Sequence, residues 1–292
     1  MTEKKPLITY GWLRALLYII ASVVSMFIAL VVAGVMIGMN GGKDIIEDGE
    51  QSIKSFLLTY FIIAIFIIGF AVLMRKAVDR QSIISLGFRW KNFANQATSG
   101  FFIALLLLSI GSLILVLFKF LFFTGAVLNI TDMLYSLLLF LIVAFTEEIA
   151  FRGYILNNLM QSTSRWIALT ISAIAFALFH FTNPGGDSIL PMLNIFVAGY
   201  LLGINYIYTK NLWFAIALHF AWNFFQGPIL GYEVSGFAAT SLFQQTLKGP
   251  ALLTGGDFGF EGSLICLILN SIACVLLWQY YSIREKKIRP AT

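Results

Sequence analysis

Long runs of apolar residues, separated by short polar stretches, organise this chain. Eight such runs stand out, at about residues 12–39, 55–74, 98–123, 133–159, 166–181, 189–208, 212–226 and 263–281. Roughly 18 apolar residues in a row are enough for a helix to span a bilayer. A membrane β-barrel would instead show short segments of alternating apolar and polar residues, and that pattern is missing. Inside a bilayer the backbone must satisfy its hydrogen bonds within helices. The pattern therefore predicts an all-α, polytopic integral membrane protein with about eight transmembrane helices. No internal repeat or low-complexity tract divides the chain, so residues 1–292 read as one membrane-embedded domain.

The polar stretches alternate in charge. The first, 40–54, is acidic, with Asp44, Glu47, Asp48 and Glu50. The second carries Arg75, Lys76, Arg80, Arg89 and Lys91, and later ones carry Arg165 and Lys210. The C-terminal tail adds Arg284, Lys286, Lys287 and Arg289. Basic loops mark the cytoplasmic side, so both termini are expected there, and a bacterial plasma membrane is the expected location. The N-terminus resembles a signal peptide only in its charge. Its apolar run continues to Met39 without an obvious small-residue cleavage site, so it reads as a retained helix. Residues 77–93 mix apolar and basic positions and suit either an interfacial amphipathic helix or an ordinary basic loop. The long Gly- and Phe-rich stretch 227–262 is expected outside, re-entering the membrane or capping a cavity.

Composition sharpens this picture. The chain is 59% hydrophobic and only 11% charged, with a mean hydropathy of +0.88; a soluble domain carries about 25% charge. The net charge of +5 sits in loops and tails, which gives no reason to expect a nucleic-acid partner. Cys266 and Cys274 are eight positions apart in one predicted helix, too far to bridge. They read as small buried apolar residues.

Against this background the ionisable groups inside the apolar runs are conspicuous. Such groups are costly at membrane depth and mark function by default. The chain has two histidines, His180 and His219, each in an apolar run. A third run carries Glu147, Glu148 and Arg152. On a helix Glu148 and Arg152 share a face and are expected to pair. Glu147 has no such partner in its own helix, which suits it to act as a general base. His219 shares a face with Asn223, four residues on. At 1.5 Å per residue, Glu147 and His180 each lie about 20 Å from the predicted cytoplasmic ends of their helices, and His219 and Asn223 roughly 10–20 Å from theirs. The polar groups can thus meet in a cavity between the fourth, fifth and seventh helices.

Such a set can hydrolyse an amide with activated water. Glu147 takes a proton from the water, His219 and Asn223 donate to a developing oxyanion, and His180 orients the water or protonates the leaving amine. Alternatively, Glu147, His180 and His219 bind a zinc-like divalent ion that acidifies the water. No His-Glu-x-x-His motif is present, and no serine or cysteine is paired with a base as a nucleophile requires.

Three motifs, Glu-Glu-x-x-x-Arg-Gly at 147–153, Phe-x-x-x-His at 176–180 and His-x-x-x-Asn at 219–223, carry a family resemblance. In this order, each within an apolar run, they resemble the CPBP intramembrane proteases. These include the type II CAAX prenyl endopeptidases and bacterial abortive-infection or bacteriocin-immunity proteins. The resemblance implies an all-helical membrane fold and endopeptidase activity on a membrane-associated peptide or protein. It also implies that Glu147, His180, His219 and Asn223 are the catalytic set, supported by Glu148 and Arg152, working by either a glutamate or a metal mechanism. The stretch 254–263 resembles a segment of some bacterial members; by itself it reads as a Gly-rich loop with Glu261 near a helix N-terminus. Two other classes fit the same residues: a proton-coupled transporter, because buried Glu, Arg and His also form relays, and a catalytically silent immunity or scaffold protein.

Overall fold

The structure is a computed structural model and describes residues 5–39, 46–47, 50–51, 53–238 and 240–288. Its main helices are α1 (Gly11–Met39), α2 (Ile53–Ala77), α3 (Phe93–Leu117), α4 (Ile130–Glu148), α5 (Arg165–Phe179), α6 (Ile189–Thr209), α7 (Trp213–Phe224) and α8 (Leu264–Ile288). α4 runs on as a π-helix, Ile149–Leu156, and a last α-turn, Asn157–Leu159. α7 likewise runs on as a π-helix, Phe225–Ile229. The described residues also include short helical turns at Ala251–Thr254, Gly256–Phe258 and Phe260–Gly262 and four short strands. β1 (Ile46–Glu47) pairs antiparallel with β2 (Glu50–Gln51), and β3 (Leu121–Ala126) with β4 (Phe243–Leu247).

The chain is an all-α polytopic membrane protein. α1, α2, α3, Ile130–Leu159, α6 and Leu264–Lys287 are each long and apolar enough to cross a membrane. α5, with 15 residues, and α7, with 12, are shorter. The eight apolar runs therefore become six full-length helices and two short ones. Large apolar side chains such as Phe27, Phe61, Phe102 and Leu178 face outward, as a helix against lipid requires.

Several boundaries move. The third run was expected to remain helical to residue 123, but the helix ends at Leu117. Lys119 takes a positive φ of 59°, which breaks the helix, and the apolar residues after it form strand β3. The run 166–181 ends at Phe179, so His180 caps α5 instead of lying inside it. No amphipathic helix covers 77–93; that stretch holds a single 3-10 turn, Ile83–Leu86. Asp44, Asp48 and Arg289 lie outside the described residues.

One end of the bundle is bolted by polar contacts. Asp79, fully buried just after α2, accepts from Arg14 of α1 and from Arg75, both at 2.9 Å. Tyr154 and Asn158 donate to the same carboxylate at 3.2 Å each. Arg75 also binds Ser85, while Asn157 reaches Tyr206 of α6. At this end Gln96 of α3 meets Asn205, and Arg165 of α5 meets Glu285 of α8. The starts of α1, α3, α5 and α7 therefore lie beside the ends of α2, α6, α8 and the α4 extension, so successive helices alternate in direction. Close backbone packing supports this: a Cβ on Gly100 of α3 would lie 2.2 Å from the Phe214 carbonyl of α7.

Asp79 is paired with two buried guanidinium groups. Asp79→Ala is expected to cost about 3–5 kcal/mol, because it leaves them buried and unpaired. Glu285→Gln, which breaks the half-exposed pair with Arg165, is expected to cost at most about 1 kcal/mol. Thermal unfolding of both variants in detergent checks this; equal losses would refute it.

Candidate active site

Every residue singled out by its charge in an apolar run lies around one cavity or directly behind it. The cavity has a volume of about 500 Å³. Glu147 of α4, His180 at the end of α5, and His219 and Asn223 of α7 all line it. All four are buried. Glu148 and Arg152 lie behind this wall and are buried almost completely.

The geometry begins with Glu148. Its Oε1 accepts from Arg152 Nη1 at 2.8 Å, the ion pair expected from their spacing, and from His219 Nδ1 at 2.9 Å. Arg152 also donates through Nη2 to the Gly199 carbonyl at 3.0 Å and stacks on the Phe176 ring at 4.4 Å. One carboxylate thus joins α4, its π-helical extension and α7, while the arginine brings in α5 and α6. π-Helical turns are rare and recur at functional sites. Here one follows Glu148 directly, and another follows Asn223 by one residue.

Both imidazoles are oriented through Nδ1. A carboxylate or a carbonyl can only accept, so Nδ1 must carry the proton. His219 Nδ1 donates to Glu148, and His180 Nδ1 donates to the Phe176 carbonyl at 2.9 Å. Both Nε2 atoms then face Glu147. Its Oε2 lies 3.7 Å from His180 Nε2 and 3.9 Å from His219 Nε2. That oxygen is enclosed and has no hydrogen-bond partner among the described residues.

Two imidazole nitrogens and a carboxylate are a donor set that zinc-like ions take. Their spacing is wider than the roughly 3.3–3.4 Å between ligands in a tetrahedron with bonds of about 2.0–2.1 Å. Among the described residues, no group of three or more His, Cys, Asp or Glu is placed to hold a metal ion. As placed, the trio does not fit such an ion.

The cavity also has walls that the sequence did not point to. Tyr60 of α2 and Asn194 of α6 line it. So do Trp222, Ser235 and Glu261. Glu261 sits three residues before the start of α8, near a helix N-terminus as expected. Its carboxylate is held from elsewhere: Oε1 accepts from Trp222 Nε1 at 2.8 Å, and Oε2 accepts from the Ser235 backbone N–H at 2.9 Å and hydroxyl at 2.8 Å. It ties the stretch 232–237 to the helix that carries His219 and Asn223. Val234, Ser235 and Phe237 of the long loop line the cavity. The signal in sequence was faint, an acid among glycines and a tryptophan beside Asn223.

Residues 127–225 match the family model described as type II CAAX prenyl endopeptidase Rce1-like. This segment is Rce1-like. It spans about a third of the chain and contains all three motifs, hence every residue of the expected set. An Rce1-like segment in a polytopic helical protein supports a membrane-embedded protease. Comparison with the curated proteins and with the solved structures gave no significant match.

Arg152→Ala leaves Glu148 buried without its cation and is expected to cost about 3–5 kcal/mol. Glu147→Gln, which removes no ion pair with Arg152, should cost less. Yield and thermal stability in detergent compare the two; equal values would count against the anchoring role of the pair. For Glu261→Gln, the Trp222 bond survives but an amide N–H₂ faces the Ser235 donors. Faster proteolysis near Ser235 at unchanged overall melting is the expected result, read by limited digestion.

Proposed function

We propose that the protein is an intramembrane endopeptidase that hydrolyses a peptide bond of a membrane-associated peptide or protein with water activated by Glu147. The observation that carries this reading is the convergence of Glu147 with both Nε2 atoms in one cavity within an apolar bundle. Glu147 takes a proton from a water in the cavity as the water oxygen attacks the carbonyl carbon. The carbonyl electrons move onto oxygen, and His219 and Asn223 stand on the same wall to donate to that oxyanion. With Nδ1–H committed to Glu148, His219 donates through Nε2 as an imidazolium, whose charge the two flanking carboxylates balance. When the C–N bond breaks, the proton held by Glu147 returns to the leaving amine, directly or through His180. Pre-placed donors in a dry site are often the largest catalytic contribution, and Glu148 and Arg152 supply that placement.

Both termini are assigned to the cytoplasm, because the basic loops gather at their end of the bundle.

Cleavage of a peptide library by the purified protein and by Glu147→Gln is the test. The parent is expected to cleave, and the variant to lose activity by at least about a hundredfold, as loss of a general base implies. A variant as active as its parent would refute the assignment. Failure of both, together with Glu147-dependent proton-driven uptake in liposomes, would favour a transporter. Failure of both assays would favour a silent immunity or scaffold protein. Elemental analysis with chelator challenge addresses metal dependence; a bound ion and loss of activity on chelation would replace the glutamate mechanism with a metal-assisted one.

A further inference from the structure

We propose that the cavity is loaded from the non-cytoplasmic face, and that its substrate is an extended, unfolded segment of a peptide or protein displayed on that side. The substrate half of this proposal rests on the peptidase reading; the access half does not.

Three observations carry it. First, the cavity's rim belongs to one end of the bundle. Lys54 at the start of α2, Asp132 at the start of α4, Asn183 just after α5, and Phe237 and Thr240 from the long loop line it. No residue of the basic loops at the opposite end does. Second, that opposite end is shut. Between Glu147 and the basic loops lie the buried Tyr154, Asn157 and Asn158, tied to Asp79, Ser85 and Tyr206. An unfolded chain entering there would have to break several buried hydrogen bonds and the Asp79 ion pairs. Third, charge orients the bundle. Arg75, Lys76, Arg80, Arg89, Lys287 and their neighbours cluster at the shut end, which places that end in the cytoplasm. The open rim is then outside.

The dimensions define the substrate. Asp132 lies 15 positions before Glu147 on α4, about 22 Å at a helical rise of 1.5 Å. A strand covers that distance with about seven residues at roughly 3.3 Å each. A cavity of about 500 Å³ is too small for a folded domain and encloses only part of such a segment, the rest lying toward the rim. The scissile bond is therefore expected several residues inside the point where the substrate leaves the protein surface.

The test separates access from chemistry. Cys266 and Cys274 are the native thiols; both are replaced by alanine, and Thr240→Cys or Lys287→Cys is then introduced singly. A membrane-impermeant maleimide is applied to intact expressing cells and to inside-out vesicles. Thr240→Cys is expected to react in cells, and Lys287→Cys only in the vesicles. The reverse pattern overturns the proposal whether or not the protein is a peptidase. Lys54→Cys repeats the rim measurement if Thr240→Cys does not accumulate. In a second arm, impermeant quenched peptides are offered to right-side-out and inside-out vesicles, with Glu147→Gln as the blank. Cleavage is expected in the former, and a bulky maleimide on Thr240→Cys is expected to abolish most of it. Equal or greater cleavage in inside-out vesicles overturns the loading side. No cleavage in either orientation or in detergent sinks the peptidase reading and the substrate half with it, while labelling still decides the access side.

Discussion

A carboxylate buried in an apolar bundle must be neutralised or it will not stay charged, and Glu148 shows how this chain meets that constraint. Its single oxygen Oε1 holds both Arg152 and His219. The arginine supplies the compensating charge, and the histidine is turned so that its other nitrogen faces Glu147. Arg152 is held in turn by the Gly199 carbonyl and the Phe176 ring. Four helices are thereby fixed around one buried charge. Breaking one partner of such a set leaves an uncompensated charge, which costs far more than the pair gains relative to apolar packing. The cluster is therefore better understood as a device for position than as a source of stability.

The bundle divides its labour along the membrane normal. At the end with the termini, polar residues are spent on closure: Asp79, Arg14, Arg75 and the asparagines after the π-helix are tied to one another and to their neighbours between Glu147 and the basic loops. At the other end polar residues line a hollow, and Glu261 holds part of its cover in place. Glu147 sits where the solid half meets the hollow one. An enclosed carboxylate oxygen without a partner is an expensive feature, and one tolerated at a site that needs it.

Much of this was legible in sequence because lipid imposes a simple rule. Apolar runs of spanning length become helices, so the bundle and its alternation followed from hydropathy. The pairing of Glu148 with Arg152 followed from helical spacing, and the meeting of Glu147, His180 and His219 from their shared depth. The bond from Glu148 to His219 was not legible, because it joins residues 71 positions apart whose rotation about their helices no periodicity fixes. Asp79 was hidden in a loop that looked merely basic, since loop residues carry no periodic sign of burial. The first part of the strand, 121–123, falls in the apolar run expected to be helix, because apolar content alone does not distinguish the two. Glu261 was read locally, whereas its partners Trp222 and Ser235 lie 39 and 26 positions away.

The wide turn behind Glu148 has a consequence for how this chain can change length. Residues 149–156 form a π-helix, whose hydrogen bonds reach one residue further than those of an α-helix. Deleting one residue from an ordinary α-helix turns everything beyond it by about 100°. A wide turn carries one residue more than an α-turn needs, so a single deletion within 149–156 can be absorbed by tightening to α geometry, with Tyr154, Asn157 and Asn158 kept toward Asp79 and Glu147 toward the histidines. The same deletion a turn earlier, in α4, has no such slack and would turn the carboxylates away from the histidines or the anchor away from Asp79.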